Sequence, residues 1–134
     1  MIIYDYRVKD VMTKNVKAVS ERATIKKIAE IMSNNKIGSV VVMRKKTPVG
    51  IITDTDIVRK VVAKGLNPEK TRAMDVMTKN VITIRPDTSI REASIVMATN
   101  KVRRLPIIGK QGLLGIITET DLTRIISNIK NNFV

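Results

Sequence analysis

This 134-residue chain contains the same sequence pattern twice, at a constant spacing of 65 positions. Asp10–Val16 (DVMTKNV) recurs unchanged at Asp75–Val81, and Gly50–Asp56 (GIITDTD) recurs at Gly115–Asp121 with one Asp replaced by Glu. Aligned at this offset, residues 10–59 need no gap, and 19 of the 50 positions are identical. Two copies are too few for a solenoid, so the repeat predicts two half-modules that bury a face against each other.

Each copy predicts the same order of elements: strand, helix, strand, strand, helix. Val16–Ser20 and Val81–Arg85 alternate apolar and polar residues, which favours short strands. Ser89 and Glu92 have the spacing of a capping box at the start of a helix in the second copy. Ser39–Met43 is rich in β-branched residues, which favours a buried strand.

The second half of each copy predicts a turn, a strand and a helix. Turns are predicted at 44–50 (RKKTPVG) and 109–115 (GKQGLLG), and each leads into a buried GIIT strand. A helix is predicted at 54–64, followed by a linker rich in turn-forming and charged residues. The expected boundaries are residues 7–64 for the first repeat, 65–73 for the linker and 74–128 for the second repeat. The predicted fold class is α+β, with small sheets covered by helices.

The composition argues against most kinds of catalysis. The chain has no histidine and no cysteine, which excludes imidazole acid–base chemistry, thiol nucleophiles, disulfides and the usual zinc ligand sets. Two carboxylate pairs, Asp54 with Asp56 and Glu119 with Asp121, could hold Mg²⁺ together with a nucleotide, but no metal-ligand spacing is recognised. We therefore expect no enzymatic activity, no catalytic residues, no metal site and no required cofactor.

The N-terminal sequence and the apolar runs predict a cytoplasmic protein. Arg7 and Lys9 interrupt the region where a signal peptide would need a continuous apolar stretch. Apolar runs such as Val40–Met43 are far shorter than the roughly 20 residues needed to cross a bilayer. No membrane partner is therefore expected.

The charge balance predicts an anionic partner. There are 25 Lys and Arg residues against 12 Asp and Glu, a net charge of +13. Such a balance suits a nucleotide, a nucleic acid or an anionic lipid, and it also suits a solvated surface with many lysines. The basic residues are spread along the chain, and the aromatic residues that usually stack single-stranded bases are scarce. A nucleic-acid-binding protein is therefore the alternative function rather than the favoured one.

The repeated phrase itself has two interpretations. Thr53 and Asp56, like Thr118 and Asp121, place a hydroxyl at a strand end and a carboxylate in the first turn of a helix. Such a pair could bind a phosphate and two ribose hydroxyls. The same residue types are ordinary helix caps, with an acid that suits the helix dipole. Arg59 and Arg124, three residues after each Asp, could simply pair with it. Gly50 and Gly115 would permit the close approach of a backbone or a ligand.

Taken together, the paired GIITxTD and DVMTKNV phrases and the strand RRLPII resemble the cystathionine-β-synthase (CBS) domain family, as a stand-alone CBS pair or Bateman module. The resemblance implies two CBS repeats packed around a pseudo-two-fold axis as one module. Two clefts would bind AMP, ADP, ATP or S-adenosylmethionine, and the modules commonly form homodimers. The implied function is regulatory, with ligand occupancy acting on a separate, unknown partner protein.

The resemblance also implies site residues by position. Thr53 and Thr118 match residues that contact phosphate, and Asp56 and Asp121 match the acids that bind ribose. Ile51 and Ile116 would flank the base. The cleft of Asp121 would add Thr13, Val16, Lys17, Ile37 and Gly38. The cleft of Asp56 would add Thr78, Val81, Ile82, Val102 and Arg103.

Two positions predict that the clefts differ. Arg103 and Arg104 stand where related modules place basic or imidazole side chains near phosphates, whereas Gly38 and Ser39 occupy these positions in the first repeat. The Asp56 cleft is therefore expected to suit an anionic tail better, unless the two arginines are solvated strand-edge charges. The family often has proline in its second strand, which Pro106 provides but Val41 does not.

Overall fold

The computed structural model describes the backbone of residues 6–132 and the side chains of residues 6–128. Their elements, in chain order, are α1 (Val8–Val11), β1 (Ala18–Ser20), α2 (Ile25–Asn35), β2 (Ser39–Arg44), β3 (Thr47–Thr53), α3 (Asp54–Asp56), a π-helix (Ile57–Val62), α4 (Ala73–Val76), α5 (Ile90–Asn100), β4 (Arg104–Gly109), β5 (Gly112–Thr118) and α6 (Glu119–Asn132). The mixture of helices and small sheets confirms the α+β class.

The chain divides into two compact units. Asn15–Val81 form one, here called the central unit, while the chain up to Lys14 and the chain from Ile82 onward form the other, here called the flanking unit. The units do not coincide with the sequence repeats. The start of the second repeat, with α4, belongs to the central unit, and the start of the first repeat, with α1, belongs to the flanking unit.

The central unit is built on a three-stranded sheet in the order β1-β2-β3. β1 runs parallel to β2, with Val19 opposite Val42, and β2 runs antiparallel to β3, with Val40 opposite Ile52. The buried core takes side chains from the sheet, α2, the π-helix and α4: Val19, Ile25, Ile28, Met32, Val40, Val42, Ile52, Val61, Ala73, Val76 and Met77. The last two belong to the second repeat, so the central core needs residues from both repeats.

The flanking unit contains the antiparallel hairpin of β4 and β5, with Pro106 opposite Ile116. Its buried core consists of Val8, Ile90, Ala93, Met97, Leu105, Ile107, Ile117 and Leu122. Val8, which is fully buried, is the contribution of the first repeat. Each core is therefore completed by a short helical segment from the other repeat.

Thr24 and Ser89 cap the starts of α2 and α5, although only the serine half of the capping box predicted for Ser89 and Glu92 is present. Thr24 Oγ1 accepts the Lys27 N–H at 3.2 Å before α2. Ser89 Oγ accepts the Glu92 N–H at 3.0 Å before α5. Both hydrogen bonds satisfy one of the donors that have no partner in the first turn of a helix. The predicted linker is also anchored, because the Ile25 N–H donates to Thr71 O at 2.8 Å.

The predicted strand Val81–Arg85 is not formed as a strand. Only Ile84 pairs, in one parallel bridge to Ile107. In the first repeat the Val41 N–H donates to Lys17 O at 3.0 Å, but the equivalent position is Pro106, which has no N–H. The second repeat therefore lacks a donor for this part of the parallel ladder.

Three further elements differ from expectation. β3 and β5 begin earlier than predicted, since the turns occupy only residues 45–46 and 110–111. The helix predicted at 54–64 is α-helical only over Asp54–Asp56 and continues as a π-helix. Four of the six π-helical residues are β-branched, and such side chains crowd the preceding turn of an α-helix.

Within the described residues, no helix has the length and apolar composition to cross a bilayer.

Candidate functional site

In the central unit, the Thr53 and Asp56 side chains form a reciprocal cap where β3 ends. Thr53 Oγ1 accepts the Asp56 N–H at 3.1 Å, and Asp56 Oδ2 accepts the Thr53 N–H at 2.9 Å. These two hydrogen bonds are a capping box. The capping interpretation of the phrase is therefore confirmed in this repeat.

The flanking unit repeats this geometry at the end of β5. Thr118 Oγ1 accepts the Asp121 N–H at 3.1 Å, and Asp121 Oδ2 accepts the Thr118 N–H at 2.9 Å. Asp121 is only 5% exposed, so its carboxylate needs these partners. Both copies of the phrase consequently start a helix with the same pair of side chains.

The second oxygen of each carboxylate lies beside a cation. Asp121 Oδ1 is 2.7 Å from Arg124 Nη2, which confirms the predicted pair. Asp56 Oδ1 is 3.2 Å from Lys60 Nζ instead, so the predicted pair with Arg59 is wrong. A carboxylate offers about four lone-pair positions, so both acids keep the capacity to accept further hydrogen bonds.

The glycine of each phrase allows a segment of the other repeat to pack closely. A Cβ on Gly50 would meet Met77 Sδ, with Met77 Cβ at 2.9 Å. A Cβ on Gly115 would lie 2.7 Å from both Met12 Sδ and the backbone O of Thr13. The predicted close approach is therefore real, and a protein segment makes it in both units.

The residue after each glycine pairs with the same segment. Thr78 and Ile51 exchange backbone hydrogen bonds of 2.9 and 3.1 Å, and Thr13 and Ile116 exchange bonds of 2.9 and 3.0 Å. The structure thus brings Thr78 to the Asp56 strand and Thr13 to the Asp121 strand. Whether these residues bind a ligand stays a prediction.

The other predicted site residues are divided between the two units. Thr78 and Val81 lie in the central unit with Asp56, whereas Ile82, Val102, Arg103 and Arg104 lie in the flanking unit. Thr13 lies in the flanking unit with Asp121, whereas Val16, Lys17, Ile37 and Gly38 lie in the central unit. The two clefts, as predicted, would each draw on both units, and their assembly stays a prediction.

Within the flanking unit, basic side chains surround the start of α6. Arg103, Arg104, Thr118, Glu119 and Thr120 line a small cavity of about 130 Å³. Arg103 Nε lies 3.5 Å from Glu119 Oε2, in an exposed ion pair. Such pairs are weak in water, so an incoming anion can compete with Glu119 for the guanidinium.

The equivalent position in the central unit has no cation. Gly38 O accepts the Asp54 N–H at 3.0 Å, just as Arg103 O accepts the Glu119 N–H at 2.9 Å. The two backbones are therefore alike, and the difference lies in the side chains. This finding agrees with the sequence-based expectation that the two repeats differ in charge near Gly38 and Arg103.

Two larger clefts lie within single units. One of about 440 Å³ in the flanking unit lies against α5 and the start of α6, and its lining includes Met97, Lys101, Val102 and Leu122. Another of about 560 Å³ in the central unit includes Glu21, Arg44, Met74 and Lys79. Arg44 Nε lies 2.7 Å from Glu21 Oε2, and this hydrogen bond lowers the pKa of the Glu21 carboxyl.

Sequence reasoning missed two of these partners. The four-residue spacing of Asp56 and Lys60 on a predicted helix was a usable signal for their ion pair. The Glu21–Arg44 pair joins the end of β1 to the end of β2, and no local spacing indicates it. Among the residues with described side chains, no group of three or more acidic residues is placed to hold a metal ion.

Comparison with known proteins gives a consistent result. A family model described as CBS domain matches this chain twice, over residues 8–63 and 73–128. An uncharacterized protein of Methanopyrus kandleri is 40% identical over 118 residues, which are 87% of this chain and 60% of that protein. The CBS domain-containing protein YhcV of Bacillus subtilis is 35% identical over 115 residues, which are 86% of this chain and 81% of that protein.

A solved structure has the same fold. The hexameric CBS-CP12 protein from bloom-forming cyanobacteria matches with a TM-score of 0.77 at 31% sequence identity. The match covers 88% of this chain and 69% of that chain.

Proposed function

We propose that this chain, which belongs to the CBS domain family, is a regulatory module. It binds an adenosine-containing ligand and acts on a partner protein. AMP, ADP, ATP and S-adenosylmethionine are the candidate ligands. The module acts by binding, without catalysis.

The observation that carries this proposal is the way in which hydrogen bonds and cations fix the carboxylates of Asp56 and Asp121. Asp56 and Asp121 are each fixed by a backbone N–H on one oxygen and a cation on the other. Fixed carboxylates with lone pairs to spare are suited to accept hydrogen bonds from the two vicinal hydroxyls of a ribose. Ile51 and Ile116, two strand positions before each cap threonine, would contact the base.

The phosphate end of the ligand would use threonine hydroxyls and arginines. Thr53 and Thr118 can donate a hydroxyl hydrogen to a phosphate oxygen while they continue to accept the capping hydrogen bond. Within the flanking unit Arg103 and Arg104 line the small cavity beside Thr118, where guanidinium groups suit a phosphate, although the family pattern assigns these two residues to the cleft of Asp56. A ligand with a polyphosphate tail would therefore bind more tightly where Arg103 and Arg104 are present than at the equivalent position, which is occupied by Gly38.

We further propose that the module forms homodimers in the cytoplasm. Exposed apolar side chains on the π-helix supply a surface for a second copy: Val58 is 58% exposed and Val62 is 69% exposed. The relative from cyanobacteria is described as hexameric, which supports assembly of such modules.

The first test is thermal unfolding with AMP, ADP, ATP, S-adenosylmethionine and GTP as a control. A ligand that binds only the folded state raises its stability by about 2.7 kcal/mol at a hundred times the dissociation constant. We expect a shift with an adenosine ligand and none with GTP. No shift with any of them at millimolar concentration would contradict the proposal.

The site assignment is tested with Asp56→Ala combined with Asp121→Ala. We expect the adenosine ligand to lose at least about tenfold in affinity, measured by calorimetry, since both ribose acceptors are removed. The matched control is Asp10→Ala with Asp75→Ala. Each of these carboxylates also accepts the backbone N–H of the residue before its helix, Arg7 or Arg72, but lies outside the proposed site. Full affinity in the first double variant would defeat the assignment.

One observation favours a second candidate function, nucleic-acid binding. The central unit carries 14 Lys and Arg residues against 6 Asp and Glu. Affinity for nucleic acid from such a surface would fall steeply with salt, because binding releases counterions. A gel-shift series across salt concentrations tests this candidate, and the absence of any shift at low salt would remove it.

A further inference from the structure

Lys60 contacts two parts of the central unit at once. Its Nζ lies 3.2 Å from Asp56 Oδ1 and donates to the backbone O of Val76 at 3.0 Å. An ammonium group has three N–H donors, so both partners can be bonded together. The Asp56 carboxylate and the end of α4 therefore share one cation.

The contact to Val76 matters because this residue lies directly before the segment that pairs with β3. Val76 is the last residue of α4, and Thr78 two residues later makes the paired backbone bonds with Ile51. A carbonyl at a helix end has no partner within its helix, and a cation is a favourable one. Lys60 thus helps to hold the segment that places Thr78 beside the Asp56 strand.

Among the residues whose side chains are described, the flanking unit has no equivalent of this contact. The residue 65 positions after Lys60 is Ile125, which cannot donate. Asp121 pairs with Arg124, one position earlier, and no side-chain bond to Val11 O, the counterpart of Val76 O, occurs among the described residues. The two capping boxes are alike, but within the described part of the chain only Asp56 is linked through its cation to the segment from the other repeat.

We propose that Lys60 is a positioning residue which holds Asp56 and the 73–81 segment in register, so that the Asp56 site is arranged before ligand binds. This inference rests on the proposed function for its binding consequence. Its structural consequence is that the Lys60 hydrogen bond to Val76 O holds the 73–81 segment, and this consequence concerns the protein without ligand. Lys60 distinguishes the two sites, because no described side chain makes the corresponding contact at the Asp121 site.

The structural consequence is tested by hydrogen exchange in the ligand-free protein. In Lys60→Met, the amides of Ile51 and Thr78 should exchange about three- to tenfold faster, because a charge-assisted bond that holds their segment is lost. Arg59→Met is the matched control, since Arg59 lies on the same π-helix and has no ion pair among the described residues. Unchanged exchange in Lys60→Met would overturn the proposal.

The binding consequence is tested by calorimetry with ATP in an Asp121→Ala background, which leaves the Asp56 site. Lys60→Met should weaken binding about three- to tenfold, and Lys60→Arg should restore part of the loss, because a guanidinium can still reach Oδ1. Equal affinities for the Lys60→Met and parent proteins would also overturn the proposal. If the wild-type protein binds no adenosine ligand, the proposed function fails, while the exchange experiment still decides whether Lys60 holds the segment.

Discussion

At Gly50 the backbone of β3 lies against Met77, and the lack of a side chain is what makes this contact possible. Ile51 then pairs with Thr78, and Ile52 is fully buried in the core. Thr53 and Asp56 close the strand with a capping box. Most residues of the repeated phrase therefore have a structural role, and any ligand contact is additional to it.

Replacing these glycines tests their role in packing. Gly50→Ala and Gly115→Ala should each lower the free energy of unfolding by about 1–3 kcal/mol, the usual cost of overpacking. At Gly115 the obstacle includes the Thr13 backbone O, which cannot move as a side chain can. Urea unfolding is the measurement.

Gly38→Ala is the control for this comparison. Its added Cβ would have Asp54 Oδ2 as nearest neighbour at 3.4 Å, an ordinary contact. We expect its stability to stay within about 0.5 kcal/mol of the wild type. A Gly115→Ala protein that unfolds at the same urea concentration as Gly38→Ala would contradict the packing argument.

The sequence allowed the caps to be predicted but not all their partners. A Thr followed three residues later by Asp at a strand end indicates a capping box from local spacing alone. The Lys60 bond to Val76 O joins residues 16 positions apart and depends on tertiary packing. The family resemblance assigned Thr13 to the cleft of Asp121 and Thr78 to the cleft of Asp56, whereas the backbone pairing of these residues with Ile116 and Ile51 came from the structure.

At the scale of elements, one proline accounts for the clearest difference between the repeats. β1 pairs with β2 over three residues, whereas its counterpart makes one bridge at Ile84. Alternating polarity predicted strands at both Val16–Ser20 and Val81–Arg85. This pattern indicates which side chains are buried, but it does not indicate whether the neighbouring strand has the backbone N–H donors needed for pairing. The family match over both repeats confirms the resemblance inferred from the sequence.

Pro106→Val should restore the missing donor. The new amide at position 106 is expected to donate to Ile82 O, as Val41 does to Lys17 O, and to exchange as slowly as the Val41 amide. Stability should change by less than about 1 kcal/mol, since the gained hydrogen bond offsets the lost rigidity of proline. Amide exchange by NMR is therefore the measurement, and exchange at the rate of an unfolded peptide would show the explanation to be wrong.

At the scale of the whole molecule, the proposed homodimer depends on an apolar surface of the central unit. Val58 and Val62 project from the π-helix, and the nearby Leu66 is 45% exposed. Side chains this exposed contribute little to the folding of one chain, so charged replacements can be made without loss of the core.

Val58→Glu combined with Val62→Glu should leave the fold intact and raise the dimer dissociation constant by about tenfold or more. Analytical ultracentrifugation measures the assembly state, and thermal unfolding verifies the fold. Lys64→Glu changes the charge on an exposed residue just after the π-helix and serves as the control. A double variant that sediments as the wild type does would place the dimer contact elsewhere.

The exchange of α1 and α4 between repeats has an evolutionary consequence. A single ancestral repeat with this arrangement would have left the position of Met77 beside Gly50 to be filled by another polypeptide. Such an ancestor could complete its core only as an obligate homodimer, in which the first helix of each chain packs into the core of the other. Gene duplication and fusion would then have joined two mutually dependent halves, in which each copy of DVMTKNV still contacts a strand of the other repeat.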